Sequence, residues 1–183
     1  MSFKQKIVAF ILLLIIGTVL GILGDVDFTV ARPDYFWPGG VIQSVSGIFF
    51  GWTGVIASTL FPVISSTLRG VAPIKIFLWT FANFMQAFIP YLTKRIFKFD
   101  PYTFNKKTIL CFIFGCVLAA DILGAQVAVL SFFYTGEITS KAMYWVIFIR
   151  WAMANIPSAT VFGLLLLKFF APALKECRLY DEE

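Results

Sequence analysis

Residues 108–134, TILCFIFGCVLAADILGAQVAVLSFFY, decide the class of fold. Asp121 is the single charged side chain in this stretch. A helix that crosses the hydrocarbon core of a bilayer needs about 20 mainly apolar residues. The stretch exceeds that length and predicts one membrane-spanning helix, long enough to be tilted.

The composition of the whole chain agrees with a membrane protein. Of its 183 residues, 60% are hydrophobic and only 14% are charged, whereas a soluble domain carries about 25% charged residues. This balance excludes an ordinary soluble domain, and it also excludes disorder, which needs low hydrophobicity and high net charge. We therefore expect a single transmembrane domain over residues 1–183, with no room for a soluble catalytic or output domain.

Six apolar runs predict an all-α polytopic protein of about six transmembrane helices. The runs cover residues 7–24, 38–50, 53–69, 73–93, 108–134 and 142–170. The second and third are short, and the sequence FGWTG predicts a tight turn between them. They form either two spans or one re-entrant hairpin, and we expect Pro62 to kink the third run. Broken helices in membranes often line a binding cavity.

The basic residues predict an orientation. Ten of them fall on one side of the membrane: Lys4, Lys6, Lys94, Arg95, Lys98, Lys106, Lys107, Lys168, Lys175 and Arg178. The other side receives Arg32, Arg69, Lys75 and Lys141. Because cytoplasmic loops of membrane proteins are enriched in Lys and Arg, we expect both termini in the cytoplasm of a multi-pass protein of the cell membrane. The same rule accounts for the net charge of +5 without a nucleic-acid partner.

The sequence carries no catalytic, metal or cofactor signature. His is absent, and the three Cys residues include no CxxC pair. No phosphate loop and no Ser/His/Asp set is recognisable. We therefore expect a protein that is not an enzyme and that holds neither a metal ion nor a cofactor.

Two charges fall well inside the predicted spans, away from the span ends, namely Asp121 in the fifth and Arg150 in the sixth. Isolated charges are costly in a bilayer, so they normally pair with each other or face a polar cavity. The two spans are consecutive and antiparallel, and the depths of the two residues are compatible with a salt bridge. The pair is either a structural link or part of a solute site in which Arg150 recognises an acceptor group.

Uncharged polar residues add to this candidate site. Trp79, Asn83 and Gln86 share one face of the fourth span, and Asn155 follows Trp151 by one turn in the sixth. An aromatic surface with a few converging amides and one cation is typical of a small-molecule pocket. The predicted ligand-binding residues are Trp79, Asn83, Gln86, Asp121, Arg150 and Asn155. The alternative is hydrogen bonding between helices, which uses the same residue types.

A small-residue face marks the first span. Gly17 and Gly21, in the sequence GTVLGILG, are spaced by one helical turn. Such faces allow close approach of two helices in lipid. This face either docks a partner subunit or packs inside the protein.

The overall design resembles the substrate-binding S component of energy-coupling-factor transporters. The shared features are about 180 residues, six helices, both ends inside and a small-residue face on the first helix. The resemblance implies capture of a vitamin-like solute from outside, with a coupling subunit and two ATPases driving its release. It also implies that Gly17 and Gly21 contact the coupling subunit.

Three local stretches resemble the MASE-type membrane sensor domain. They are WPGGVIQSVSGIFFGWTGVIASTL, FANFMQAFIPYLTKRIFKFDP and YWVIFIRWAMANIPSATVFGLLLL. This resemblance implies sensory input to a separate signalling partner.

The leading functional expectation is a small-solute binding and uptake protein of the lipid bilayer that depends on separate energising partners. The sensor is the first alternative. A structural subunit of a larger membrane complex is the second alternative.

Overall fold

The computed structural model of the chain describes residues 1–24, 37–177 and 179, and these residues fold into helices joined by short loops. The five helices are α1 (Phe3–Leu23), α2 (Gly39–Leu68), α3 (Pro73–Phe97), α4 (Lys106–Tyr134) and α5 (Lys141–Glu176). Wider π-helical turns occupy Phe112–Ala119 within α4 and Leu166–Phe170 within α5. The predicted all-α class is confirmed. The predicted loop 25–36, with Arg32, and also Arg178 lie outside the described residues.

Four of these helices, α1, α2, α4 and α5, are long and apolar enough to cross a membrane. Their length and composition agree with the prediction of a membrane protein, whereas the number of six spans stays a prediction. The boundaries of α4 and α5 extend those predicted from the sequence, and the extensions are the basic residue pair before α4 and the segment 171–176 after the second π-helical turn.

Helix α2 folds back on itself at Gly51, so the predicted second and third runs belong to one element. Gly51 has φ 56° and ψ −138°, a conformation that a residue with a Cβ rarely adopts. The hydroxyl oxygens of Ser46 and Ser58 lie 2.6 Å apart, although the two residues are 12 positions apart. A straight helix would separate them by about 18 Å. We call residues 39–50 the first arm and residues 52–68 the second arm.

Small residues allow the two arms to pack backbone against backbone. A Cβ placed on Gly54 in the second arm would overlap with the carbonyl oxygen of Ser46 in the first. The second arm keeps helical backbone angles through Pro62, and the departure from a helix lies at Gly51. The turn expected in FGWTG is therefore confirmed, and it lies at the first glycine of that sequence.

The first arm runs parallel to α3. The side-chain amide of Gln43 donates a hydrogen bond to Asn83 Oδ1 at 3.0 Å. One turn further, a Cβ on Gly47 would lie 2.7 Å from the carbonyl oxygen of Ala87. Since both partners advance by four residues, the two helices point in the same direction.

The small-residue face of α1 is covered by the second arm of α2. Gly17 and Gly21 are buried, and added Cβ atoms would lie 2.5 Å from the ring of Phe61 and 2.8 Å from Ser65 Oγ. The glycines therefore serve helix packing within the chain, which was the alternative to partner docking. Docking of a partner at Gly17 and Gly21 would require that these two helices separate.

The turn of α2 is held at the end of the bundle where α3 ends. Lys94 Nζ donates to the carbonyl oxygen of Ile48 at 2.8 Å. The last carbonyls of a helix have no partner within the helix, and a nearby ammonium group satisfies one of them. The ring of Phe49 lies 5.9 Å from that of Tyr102 in the loop after α3. These contacts fix the position of the first arm along α3.

Candidate functional site

Three buried or half-buried amides converge from different helices, and we call Gln43, Asn83 and Asn155 the amide cluster. Gln43 in α2 bonds Asn83 in α3, as described above. Asn155 in α5 donates through Nδ2 to the carbonyl oxygen of Trp151 at 2.9 Å. Its Oδ1 faces the first arm of α2, 2.9 Å from the position of a Cβ on Gly40. Glycine at that position makes room for the amide.

An aromatic triad of Trp79, Phe132 and Trp151 lies beside the amide cluster. The ring centroids of Trp79 and Phe132 are 5.5 Å apart, those of Trp79 and Trp151 are 6.3 Å apart, and those of Phe132 and Trp151 are 6.5 Å apart. Such separations are in the range of favourable aromatic contacts. The triad joins α3, α4 and α5.

The contacts of these residues surround one region inside the helix bundle. Gly40 and Gln43 lie within one turn of the first arm, and Asn83 follows Trp79 by one turn of α3. Trp79 contacts the ring of Trp151, which is one turn before Asn155. Asn155 in turn lies next to Gly40. The amide cluster and the aromatic triad therefore border the same region.

Two acceptor atoms of this region have no hydrogen-bond donor among the described residues. They are Gln43 Oε1 and Asn155 Oδ1, in side chains that are 1% and 4% exposed. An unsatisfied polar atom in a buried position costs about 1–3 kcal/mol. Each carbonyl oxygen therefore favours a group that brings a hydrogen-bond donor to it.

The structure brings together three of the six residues predicted for the site, namely Trp79, Asn83 and Asn155. Gln43 completes the group, and it was not among the residues predicted for the site. One feature of the sequence could have singled it out. Gln43 carries a long amide side chain within a short, glycine-rich apolar run, and such an amide needs a hydrogen-bond partner because it cannot face lipid alone.

Gln86 and Asp121 form a separate polar contact between α3 and α4. Gln86 Nε2 donates to Asp121 Oδ1 at 2.8 Å, and the two side chains are 3% and 4% exposed. A Cβ on Gly124 would lie 2.5 Å from Gln86 Cγ, so the glycine allows the amide to reach the carboxylate. This contact is the interhelical hydrogen bonding that the sequence left open as the alternative to ligand binding.

The predicted salt bridge between Asp121 and Arg150 is not formed. Arg150 is exposed, whereas Asp121 is buried and bonded to Gln86. The contact of Phe132 with Trp151 sets the register of α4 against α5. Asp121 lies eleven residues before Phe132, which places it about 16 Å along the helix axis from the level of Arg150. The predicted depths of Asp121 and Arg150 were counted from the ends of their helices, and such a count cannot show how the two helices are shifted against each other.

Replacement of Gln86 by Met is expected to destabilise the protein by about 1–3 kcal/mol, because the buried carboxylate of Asp121 loses its donor. Methionine keeps the unbranched chain that fits against Gly124. The double variant Gln86→Met/Asp121→Leu removes both partners and should recover part of the loss. Thermal unfolding in detergent measures the effect.

The control for this experiment is Gln126→Met, which changes an exposed amide on α4 and should leave the midpoint unchanged. A Gln86→Met protein as stable as the wild type would show that the contact between α3 and α4 contributes nothing.

Comparisons with protein-family models, with curated proteins and with solved structures found no match for this chain. The resemblances to S components and to MASE-type sensors therefore stay predictions.

Proposed function

We propose that this chain is a membrane protein that binds a small solute between the first arm of α2, α3 and α5. The observation that supports it best is the pair of buried acceptors, Gln43 Oε1 and Asn155 Oδ1, beside the aromatic triad. Binding sites for small molecules combine apolar and aromatic surface with a few placed polar groups. This region combines both.

The chemistry of the region favours a particular class of solute. Two amide oxygens accept hydrogen bonds, so the solute presents N–H or O–H groups to Gln43 and Asn155. Trp79 and Trp151 offer ring faces for stacking against an aromatic or flat apolar part. We therefore propose a small heterocyclic or aromatic solute that carries hydrogen-bond donors.

We further propose that both termini lie in the cytoplasm and that the solute enters from the outside. The first arm has twelve residues, so it is about 18 Å long and shorter than the hydrocarbon core of about 30 Å. Since its turn is held near the basic end of α3 by Lys94, its opposite end starts below the outer surface. The amide cluster lies near that opposite end.

Uptake would require a partner that supplies energy. In the S-component interpretation, a coupling subunit and ATPases open the site inward after the solute is bound. In the sensor interpretation, the same site passes its occupancy to a signalling protein. Co-purification of the native complex separates the two, because ATPases and a kinase or cyclase are readily distinguished by mass.

Native mass spectrometry of the protein, purified gently from cells grown in rich medium, tests solute binding. We expect a small adduct on the wild type and its loss in Gln43→Leu and in Asn155→Leu. Each substitution removes one acceptor, which costs about 1–3 kcal/mol of binding, equivalent to about 5- to 150-fold in affinity. The adduct mass then defines the solute.

The matched control is Gln126→Leu, which removes the same type of group from an exposed position on α4 and should keep the adduct. Thermal unfolding confirms that each variant is folded. A wild-type protein without any adduct, or an adduct that persists in folded Asn155→Leu, would contradict the proposed site.

A further inference from the structure

A dense basic patch surrounds the end of α3 and the loop that follows it. Its five basic residues are Lys94, Arg95, Lys98, Lys106 and Lys107. Three of them, together with Phe99 and Asp100, line a surface cavity of about 330 Å³. That volume is at the lower end of the range of ligand pockets.

Asp100, the one carboxylate that lines this cavity, accepts hydrogen bonds from its own loop. Asp100 Oδ1 accepts from the backbone N–H of Tyr102 at 3.0 Å, and its Oδ2 accepts from the hydroxyl of Thr103 at 2.6 Å. Among the described residues it forms no ion pair with the surrounding cations. Among the described residues, three cations therefore line the cavity beside one carboxylate, each of whose oxygens already accepts a hydrogen bond from the loop.

Within the part of the chain that the structure describes, Arg95 is held in place by one hydrogen bond, and its other N–H donors have no partner there. One of its N–H groups donates to the hydroxyl of Tyr91 at 2.6 Å, and its guanidinium carbon lies 5.5 Å from the centre of the same ring. A guanidinium has five N–H donors in a fixed plane, suited to two oxygens of one phosphate. The Tyr91 contact reduces the freedom that Arg95 would lose on binding an anion.

The backbone at Lys98 points to a shaped loop rather than a frayed helix end. Lys98 has φ 46° and ψ 47°, a left-handed conformation that is unfavourable for a residue with a Cβ. Its carbonyl oxygen accepts from Lys107 Nζ at 3.4 Å. This contact holds a third lysine, Lys107, next to Lys98 at the edge of the cavity.

Exposed apolar side chains border the basic patch. Ile96, Phe97 and Phe104 are 62%, 55% and 42% exposed. In a chain with membrane-spanning helices, such side chains contact lipid, which sets the patch at the level of the headgroups. This level favours an anion that is attached to acyl chains, which lie against these apolar side chains.

We propose that this cavity binds the phosphate of an anionic phospholipid headgroup, with Arg95 and Lys98 as its principal contacts. Basic pockets next to transmembrane helices bind such headgroups on the cytoplasmic side. The site is separate from the amide cluster and does not depend on the proposed solute function.

The test is a native mass spectrometry titration of the protein in detergent with phosphatidylglycerol and with phosphatidylcholine of the same acyl chains. We expect tighter binding of phosphatidylglycerol to the wild type. In Arg95→Gln/Lys98→Asn this preference should fall about 25-fold, or about fivefold for each cation removed. Asparagine tolerates the left-handed backbone at position 98.

The charge-matched control is Lys141→Gln/Lys168→Gln, which removes two exposed cations elsewhere on α5 and should keep the preference. Inorganic phosphate and glycerol phosphate, each added as competitor, test a soluble source of the anion. If the double variant does not fold, Lys98→Asn alone should show the fivefold loss.

Three results would overturn the proposal. One is an unchanged phosphatidylglycerol preference in a folded variant. Another is equal binding of the two lipids to the wild type. The third is displacement of phosphatidylglycerol by millimolar inorganic phosphate, which would identify a site for soluble phosphate instead.

Discussion

Alanine at Gly54 is expected to prevent accumulation of folded protein. The added methyl group would overlap with the carbonyl oxygen of Ser46, and the obstacle is backbone rather than a flexible side chain. The two arms of α2 would have to separate, which breaks the hydrogen bond between Ser46 and Ser58. Overpacking alone costs about 1–3 kcal/mol, and the loss of the arm contact adds to it. Size-exclusion chromatography in detergent measures the folded fraction.

The control for Gly54→Ala is Gly70→Ala. A Cβ on Gly70 meets open space, so the cost is limited to its left-handed backbone at φ 73°, about 1–2 kcal/mol. A folded yield of Gly54→Ala equal to that of Gly70→Ala would mean that the arms are less closely packed than described.

Cysteines at Ser46 and Ser58 are expected to form a disulfide almost completely on oxidation. The two hydroxyl oxygens lie 2.6 Å apart, so the side chains point at each other. If α2 were a straight spanning helix, the same positions would be about 18 Å apart, and no disulfide could form. The variant Ser46→Cys/Ser58→Cys is made with Cys111, Cys116 and Cys177 replaced by Ser. A maleimide–polyethylene glycol gel shift counts the remaining thiols.

The control for the disulfide experiment is Ser46→Cys/Thr67→Cys in the same background. Thr67 lies near the far end of the second arm, nine residues beyond Ser58 and about 14 Å along the helix, so its thiol should stay free. Two free thiols in Ser46→Cys/Ser58→Cys after oxidation would refute the fold-back at Gly51.

The class of the fold and the approximate helix positions could be predicted because apolar length is a local property of the sequence. The turn at Gly51 could also be predicted, since FGWTG interrupts an apolar run. What could not be decided from the sequence was whether the two arms pack closely on each other, because that depends on which small residues face each other across the turn. Gly54 opposite Ser46 is such a pair.

Part of the candidate site could also be predicted, because it too depends on a local property of the sequence. Asn83 and Trp79 share a helix face, so periodicity alone places them together. The separation of Asp121 from Arg150 depends on the sliding of α4 against α5, which the contact of Phe132 with Trp151 determines. Sequence spacing carries no information about that contact.

The fold-back of α2 also orders events during biosynthesis. Gln43 and Ile48 find their partners in Asn83 and Lys94, which follow 40 and 46 residues later in the chain. At a synthesis rate of about 5–20 residues per second, these partners are made roughly 2–9 s after the first arm. During that interval it is too short to cross the bilayer and its amide has no acceptor from α3. We therefore expect the first arm to reach its final position only after α3 has been made.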